Sequence, residues 1–521
     1  MANASIVPFS FAHLLRRLDG PSYIDRNKEA IVFKDQRITY QQLRDRSARL
    51  TTALYSAGVR RGDRVAILMR NDPCYFDTLF AVAALGAALV PVNFLLKPTE
   101  IAFILNDSGA TTLVVGADLA DNAETSLKEC PDVKRLYVAG GTMPGATPFE
   151  PFRDAAEAKW PEVSIGMEDV ALLQYTSGTT GFPKGATHTV STILWNSFHQ
   201  ISDFDINRNE RYLALPALCW AAGTHDFVMA TLWAGGTVVL NPTGGLTMPD
   251  LFGIVQRERC SRALVVPTVL KQFVDSPDIG NYDLTSLQYV LSGAEPVPVP
   301  VIQKFQKVLP SAALIQGYGL SEGPTLVTLL RAEDAVRKIG SCGKPTTNTE
   351  LRVVDDEDRD VPPGTTGEVI VRSPATMVGY WKREEATAET LRNQWLHTGD
   401  LGVLDDEGYL TINGRKKDMI ISGGLNVYPA EIEAVMLAHE GVAECAVVGV
   451  PDEKWGESAR AVAVLRPGAT VDAATLLEMC RAKLATYKVP RDISLWTQAL
   501  PRTASGKVKK FVVREMLTEK A

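Results

Sequence analysis

The sequence predicts an α/β protein: a large N-terminal domain of parallel sheets covered by helices, a small β unit, and a C-terminal α+β domain. Three observations carry this. Apolar strand-like runs alternate with helical periodicity between residues 39 and 115, and that alternation builds a parallel sheet covered on both faces. Three later apolar runs, 263–267, 289–293 and 313–317, each end in a turn, as strands do where a parallel sheet opens at its carboxyl edge. After Leu330, short strands separated by Gly and Pro take over, the pattern of an antiparallel unit. The 521 residues exceed one compact core and suggest roughly two to four units.

Taken in order, residues 39–59 carry Leu43, Ala48, Leu50, Leu54 and Ala57 at helical spacing, and Gly58 and Gly62-Asp63 end the helix. Residues 64–69 read as a buried strand, 75–85 as a helix, 88–92 as a strand, 98–105 as a helix and 111–115 as a strand. No charge occurs from Thr78 to Leu96, close to membrane-spanning length. Gly86, Pro91 and Asn93 interrupt it, so a buried helix followed by a buried strand is the better reading. Asn71-Asp72-Pro73 stands where a dinucleotide fold puts glycines, which argues against a Rossmann site. Residues 120–165 read as loop-rich, with Gly140-Gly141, Pro144 and Pro148. Residues 212–240 are apolar and aromatic. Short strands at 351–354, 367–371 and 409–412 form the β unit. From Lys416 onward, segments 429–437, 442–450, 461–465 and 473–483 suit a separate α+β lid. The expected domains are 1–415 and 416–521.

A net charge of −7 lacks the basic excess of a general nucleic-acid binder. Seven scattered cysteines form no CxxC pair, which points to reduced thiols in a cytoplasmic protein rather than disulfides or zinc. The six histidines show no metal-ligand spacing. Charged residues interrupt the early apolar stretch, so no signal peptide is expected.

The densest chemistry lies in 175–185, which holds Thr176, Ser177, Gly178, Thr179, Thr180, Gly181 and Lys184 after a strand-like run at 170–173. Glycines expose backbone N–H groups, and the hydroxyls and ammonium add donors, together a cradle for phosphate oxygens. Gly185 after Lys184 departs from the Walker A pattern. Further motifs follow in order: Gln316-Gly317-Tyr318-Gly319-Leu320-Ser321-Glu322, Trp395-Leu396-His397-Thr398-Gly399-Asp400, Gly414-Arg415-Lys416-Lys417-Asp418, and Pro501-Arg502-Thr503-Ala504-Ser505-Gly506-Lys507.

These five motifs in sequence, spanning about residues 38–507, resemble the adenylate-forming superfamily of acyl-CoA synthetases, adenylation domains and luciferases. The resemblance implies that a carboxylate attacks the α-phosphate of ATP to give an acyl-adenylate and pyrophosphate, and that a thiol then releases AMP. It makes Lys507, Glu322 and Thr176 catalytic, with Glu322 holding Mg²⁺, a cation suited to one carboxylate plus phosphate oxygens. Tyr318 stacks on adenine beside Gly293-Ala294-Glu295; Ser321 stands where threonine is usual; Asp400 and Arg415 meet the ribose. Residues 420–433 look like the acyl-CoA synthetase version of their region. In that family Ser422, Gly423 and Gly424 line the pantetheine tunnel, and Trp455, Tyr487 and Arg491 are candidates for the CoA nucleotide. Lys417 matches the hinge about which the lid turns between the two steps.

The chain ends fourteen residues after Lys507, which favours free CoA over a resident carrier arm. Acyl transfer to a carrier protein in trans, thioester formation from supplied acyl-AMP, and a silent acyl-adenylate or acyl-CoA binding protein stand as alternatives. A homodimer is common in the family. The acid pocket is expected to use Cys219, Trp220, His225, Gly293, Gly319 and Leu320. Relatives often carry a histidine where Cys219-Trp220 stands, a departure that bears on how the carboxylate is seated. With no lysine or arginine among these residues, an apolar acid is expected: fatty, bulky cyclic or aromatic.

Overall fold

The computed structural model describes residues 10–176, 183–293, 297–503 and 506–518. The chain divides into two compact units, Met1–Leu351 with Val371–Leu396, and Arg352–Ile370 with His397–Ala521.

The first unit contains two large sheets. In one, the strands Ala88–Pro91, Arg64–Leu68, Thr112–Gly116 and Arg135–Ala139 run parallel, with Val170–Thr176 parallel beside Ala88–Pro91 and Lys184–Thr189 folding back antiparallel. In the other, Glu29–Phe33, Thr237–Leu240, Arg211–Ala214, Arg262–Val265, Tyr289–Gly293 and Ala313–Tyr318 run parallel in that spatial order. The strand and helix readings from sequence agree closely with these elements. Residues 120–165 differ. They hold a helix Ala120–Leu127, a strand Arg135–Ala139 at the parallel edge and a helix Phe149–Asp154. Gly140-Gly141 and the prolines mark connections between these short elements, which masks them in the sequence.

Local chemistry starts and stops the helices. Thr39 caps Tyr40–Ser56, accepting from the Gln42 N–H while the Gln42 side chain accepts from the Thr39 N–H. Asp72 caps Pro73–Ala84, and Pro73 occupies the first turn, where its missing N–H costs nothing. That helix is buried on every side, as is the strand Ala88–Pro91 that follows. The uncharged stretch is therefore core, and no helix among the described residues is long and apolar enough to cross a membrane.

One charge lies inside this core. Asp77 is fully buried and receives Arg46 at 2.7 Å and Arg153 at 2.8 Å. The second unit holds a five-stranded sheet in which Gly456–Leu465 pairs with Val442–Asp452, Ile420–Ser422 and Asp492–Trp496, packed against the helices Pro429–Leu437, Ala473–Lys483 and Lys510–Thr518.

Removing one partner of a buried ion pair leaves the other uncompensated. Asp77→Asn is expected to lower unfolding free energy by about 3 kcal/mol, read as a fall in the urea midpoint. A midpoint unchanged from the parent would show that the two arginines find other partners.

Candidate active site

The strands on either side of the glycine-rich segment pair antiparallel. Thr176 pairs with Lys184 and Tyr175 with Gly185 across Val170–Thr176 and Lys184–Thr189. The expected phosphate donors Ser177, Gly178, Thr179, Thr180 and Gly181 lie outside the described residues, as do Ala294 and Glu295. This strand pair is fixed from outside. Gly379–Tyr380 pairs with it, Trp381 N donates to Gly185 O, and Val378 N donates to Thr187 O. This docking brings in Tyr380, a residue no motif names. Lys184 Nζ lies 4.9 Å from the Tyr380 ring centre, and the Tyr380 hydroxyl donates to Glu322 Oε1 at 3.2 Å. Met377 N holds the Glu322 carbonyl at 2.9 Å. An ammonium and a carboxylate expected from separate motifs thus meet on one aromatic side chain.

The strands Tyr289–Gly293 and Ala313–Tyr318 run parallel, with Gly293 beside Gly317. A Cβ on Gly293 would lie 2.7 Å from the Gly317 carbonyl oxygen, and one on Gly319 would lie 1.9 Å from that of Thr325. These glycines allow close approach of the chain to itself, whatever else they admit. Tyr318 is half-buried, and its carbonyl accepts from Val327 N at 2.7 Å. Leu320 packs on Ala186, Met377 and Leu396. The Ser321 carbonyl accepts from His188 Nε2 at 2.8 Å.

The segment expected to face the acid is pinned by residues outside the five motifs. Asn71 donates to the carbonyls of Pro216 (3.1 Å) and Asn241 (2.9 Å) and accepts from Leu218 N at 2.8 Å. Tyr75 and Thr224 both donate to the Leu218 carbonyl, at 2.9 and 2.6 Å. Cys219 sits in the core with Val92 and Phe94, its carbonyl held by Gln174 Nε2 at 3.1 Å. Burial pushes its thiol up to about 12, so it remains a protonated, apolar side chain at neutral pH. Trp220 is half-buried and packs against the same cluster.

His225 and its neighbours are held by helix Val190–Asp203. The His225 carbonyl accepts from Asn196 Nδ2 and Gln200 Nε2, both at 3.0 Å. Gln200 Oε1 accepts from Phe227 N at 2.8 Å, supporting a φ of +63° that is uncommon for a residue with a side chain. Asn196 Oδ1 accepts from Thr325 N and Oγ1 at 3.0 and 3.1 Å. Two helix positions four apart thereby tie the 225–227 loop to the segment after Glu322. The His225 imidazole is lowered to about 3 by burial and then by His188, and burial lowers His188 itself to about 4. Both rings are neutral at physiological pH.

In the second unit Asp400 and Arg415 face each other across an antiparallel pair, Arg415 Nε lying 2.7 Å from Asp400 Oδ1. Lys416 is tied to Asp356 at 2.8 Å and Glu368 at 3.2 Å. Partial desolvation lowers the exposed ammonium of Lys417; Asp418 opposes this, while Arg415, Lys507 and Lys510 add to it. Gly423 and Gly424 have φ of +60° and +79°, and Gly423 N donates to the Trp455 carbonyl. A Cβ on Gly423 would strike the Trp455 ring at 2.6 Å, and Arg491 lies 5.6 Å from that ring centre. Ser422 pairs with Gly456. Tyr487 is exposed on the turn Thr486–Lys488 and stands beside Lys488. Exposed Lys507 is tied to Thr503: Thr503 N donates to Lys507 O at 2.8 Å and Lys507 N to Thr503 Oγ1 at 3.1 Å.

Buried Asp226 accepts from Gln200 Nε2 at 3.2 Å. Burial raises its carboxyl to about 7, against the opposing hydrogen bonds of Thr325 and Gln200. The folded protein keeps a proton there that the unfolded chain gives up near the ordinary carboxylate range. Stability therefore falls as pH rises between those two values and levels off above the upper one. Asp226→Asn is expected to remove this loss: between pH 5.5 and 8 the parent's melting temperature should drop relative to the variant's. Parallel profiles would contradict the buried proton.

The AMP-binding enzyme family matches residues 24–381, and the AMP-binding enzyme C-terminal domain matches residues 431–507. Feruloyl-CoA synthase of Amycolatopsis sp is 40% identical over 92% of this chain and 93% of that one. Indoleacetate–CoA ligase of Aromatoleum aromaticum is 35% identical over 96% and 98%. The crystal structure of the anthranilate CoA ligase AuaEII in complex with anthranoyl-AMP superposes with a TM-score of 0.89 at 29% identity, covering 99% of this chain and 98% of that one. The five ordered motifs and the shared fold therefore have one explanation: the chain belongs to the AMP-binding enzyme family, in its acyl-CoA synthetase branch, and is an AMP-forming acid–thiol ligase.

Proposed function

We propose that the acid has a bulky, largely apolar body, an aryl acid in the first place, and that ATP and CoA complete its conversion to an acyl-CoA through an acyl-AMP. The relatives named for feruloyl and indoleacetate substrates support an aryl body. The observation that supports the chemistry most is the Lys184–Tyr380–Glu322 arrangement. The first step brings a carboxylate against a polyphosphate, so it needs positive charge and donors beside the α-phosphate. Lys184, just after the glycine-rich segment, supplies one such charge. Glu322 is half-buried, with one oxygen engaged by a neutral hydroxyl, a donor set that fits a hard divalent cation completed by phosphate oxygens. No group of three or more His, Cys, Asp or Glu able to hold a metal by itself occurs among the described residues. Mg²⁺ bound there would neutralise phosphate charge during attack.

Lys507 is the proposed second cation of the adenylation step. Its ammonium is exposed, and its main chain is tied to Thr503. The Gly423–Gly424 loop, backed by Trp455, is proposed to line the thiol's approach in the second step. Both belong to the second unit, so a turn about Lys417 would present one and then the other.

Lys507→Ala should lose acyl-AMP formation by about 10² to 10³-fold in rate, measured as pyrophosphate release, while still turning supplied acyl-AMP and CoA into thioester. Gly423→Val should show the converse: pyrophosphate release retained, thioester formation lost. A Lys507→Ala enzyme that adenylates at the parent rate sinks the first assignment.

A further inference from the structure

One buried polar group is left over from the network that holds the acid-facing loop. Helix Val190–Asp203 satisfies that loop thoroughly: Asn196 and Gln200 engage the His225 carbonyl, the Asp226 carboxyl, Phe227 N and both the N–H and hydroxyl of Thr325. The His225 imidazole is excluded from it. The residue is only 6% exposed, its Nδ1 is buried without a hydrogen-bond partner, and its ring makes no hydrogen bond among the described residues. A buried polar atom left unpaired is costly, and native structures seldom keep one without a reason.

His225 lines a cavity of about 10 Å³ shared with His188, Thr192, Asn196, Ser321 and Thr325. That is room for about one water molecule. The walls bear on its chemistry. Among the described residues no lysine, arginine, aspartate or glutamate lines it, and both histidines are neutral across the physiological range. An ammonium or carboxylate would enter uncompensated. A neutral imidazole offers one donor and one acceptor, which a hydroxyl can meet because it is both. The cavity borders the 316–322 motif through Ser321, and Ala221 and His225 belong to the segment already expected to face the acid.

We infer that the acid carries an uncharged hydroxyl, which lodges in this cavity against the His225 imidazole and makes His225 a specificity-determining residue. The inference rests on the reading of residues 219–225 as the acid-facing wall. It alters the expectation of a uniformly apolar pocket: the body of the acid is apolar, and one small polar end is recognised. A site built to hydrogen-bond a hydroxyl discriminates strongly against the analogue that lacks it, because its own polar group is then stranded.

The test compares pyrophosphate release for matched acids: cinnamic acid with its 2-, 3- and 4-hydroxy derivatives, and octanoic acid with 8-hydroxyoctanoic acid. At least one hydroxylated acid should exceed its parent by about 10-fold or more in kcat/KM. In His225→Leu the same pair should converge to within about threefold, and His225→Gln, which keeps a donor and an acceptor, should retain part of the difference. Equal kcat/KM within every wild-type pair overturns the inference and leaves the cavity to a structural water. A preference that survives His225→Leu also overturns it. Melting temperatures check that the variants fold, and the wild-type ratios decide the class of acid even where a variant does not. Absence of pyrophosphate with every acid would count against the adenylation reading itself, whereas release without a hydroxyl preference removes only this subsite.

Discussion

The first unit depends on one helix meeting the hydrogen-bonding demands of two segments at once. Asn196 and Gln200 lie one turn apart on Val190–Asp203, so both reach the same side. Between them they serve the main chain at 225–227 and the side and main chain of Thr325. Thr325 in turn lies against Gly319, where no side chain fits. The proposed acid-facing wall and the 316–322 motif are thereby set at a fixed spacing. Backbone groups buried this deeply must be paired, and here the pairing also fixes the backbone at Phe227 in a conformation it would seldom adopt alone.

The second constraint is charge. The chain is net negative, yet its reaction joins two anionic reactants. On the proposed reading the answer is local. Lys184 emerges at the end of a strand pair whose register fixes it opposite Thr176, and Tyr380 holds it beside Glu322 without neutralising either. In the second unit, Arg415 is committed to Asp400 at 2.7 Å and Lys416 to Asp356 and Glu368. Desolvation lowers the Lys417 ammonium, and Lys507 and Lys510 lie near enough to lower it further. Like charges held together in this way favour an arriving anion.

Most strands and helices were legible from apolar periodicity and from Gly and Pro punctuation, because burial follows from those patterns directly. Asp400, Arg415, Gly293, Gly317 and Gly423 were legible as motif positions. Asn71, Tyr75, Asn196, Gln200 and Tyr380 were not. Each acts on a segment far away in sequence, Asn71 on 216–218 and Tyr380 on Lys184 and Glu322, and a single polar residue in a helix or strand gives no local sign of its partner. Cys219, expected in the acid pocket, is buried in a core cluster with Val92 and Phe94, a packing that no local feature of the sequence shows. Residues 120–165 were misread because elements of five to eight residues are too short to display a period.

The account stands or falls on an acyl-adenylate formed before any thiol takes part. The most direct measurement is exchange of labelled pyrophosphate into ATP, with an aryl acid present and CoA omitted. Exchange that depends on the acid and proceeds without CoA is the predicted result. Exchange that requires CoA, or turnover that yields ADP and phosphate, would contradict it.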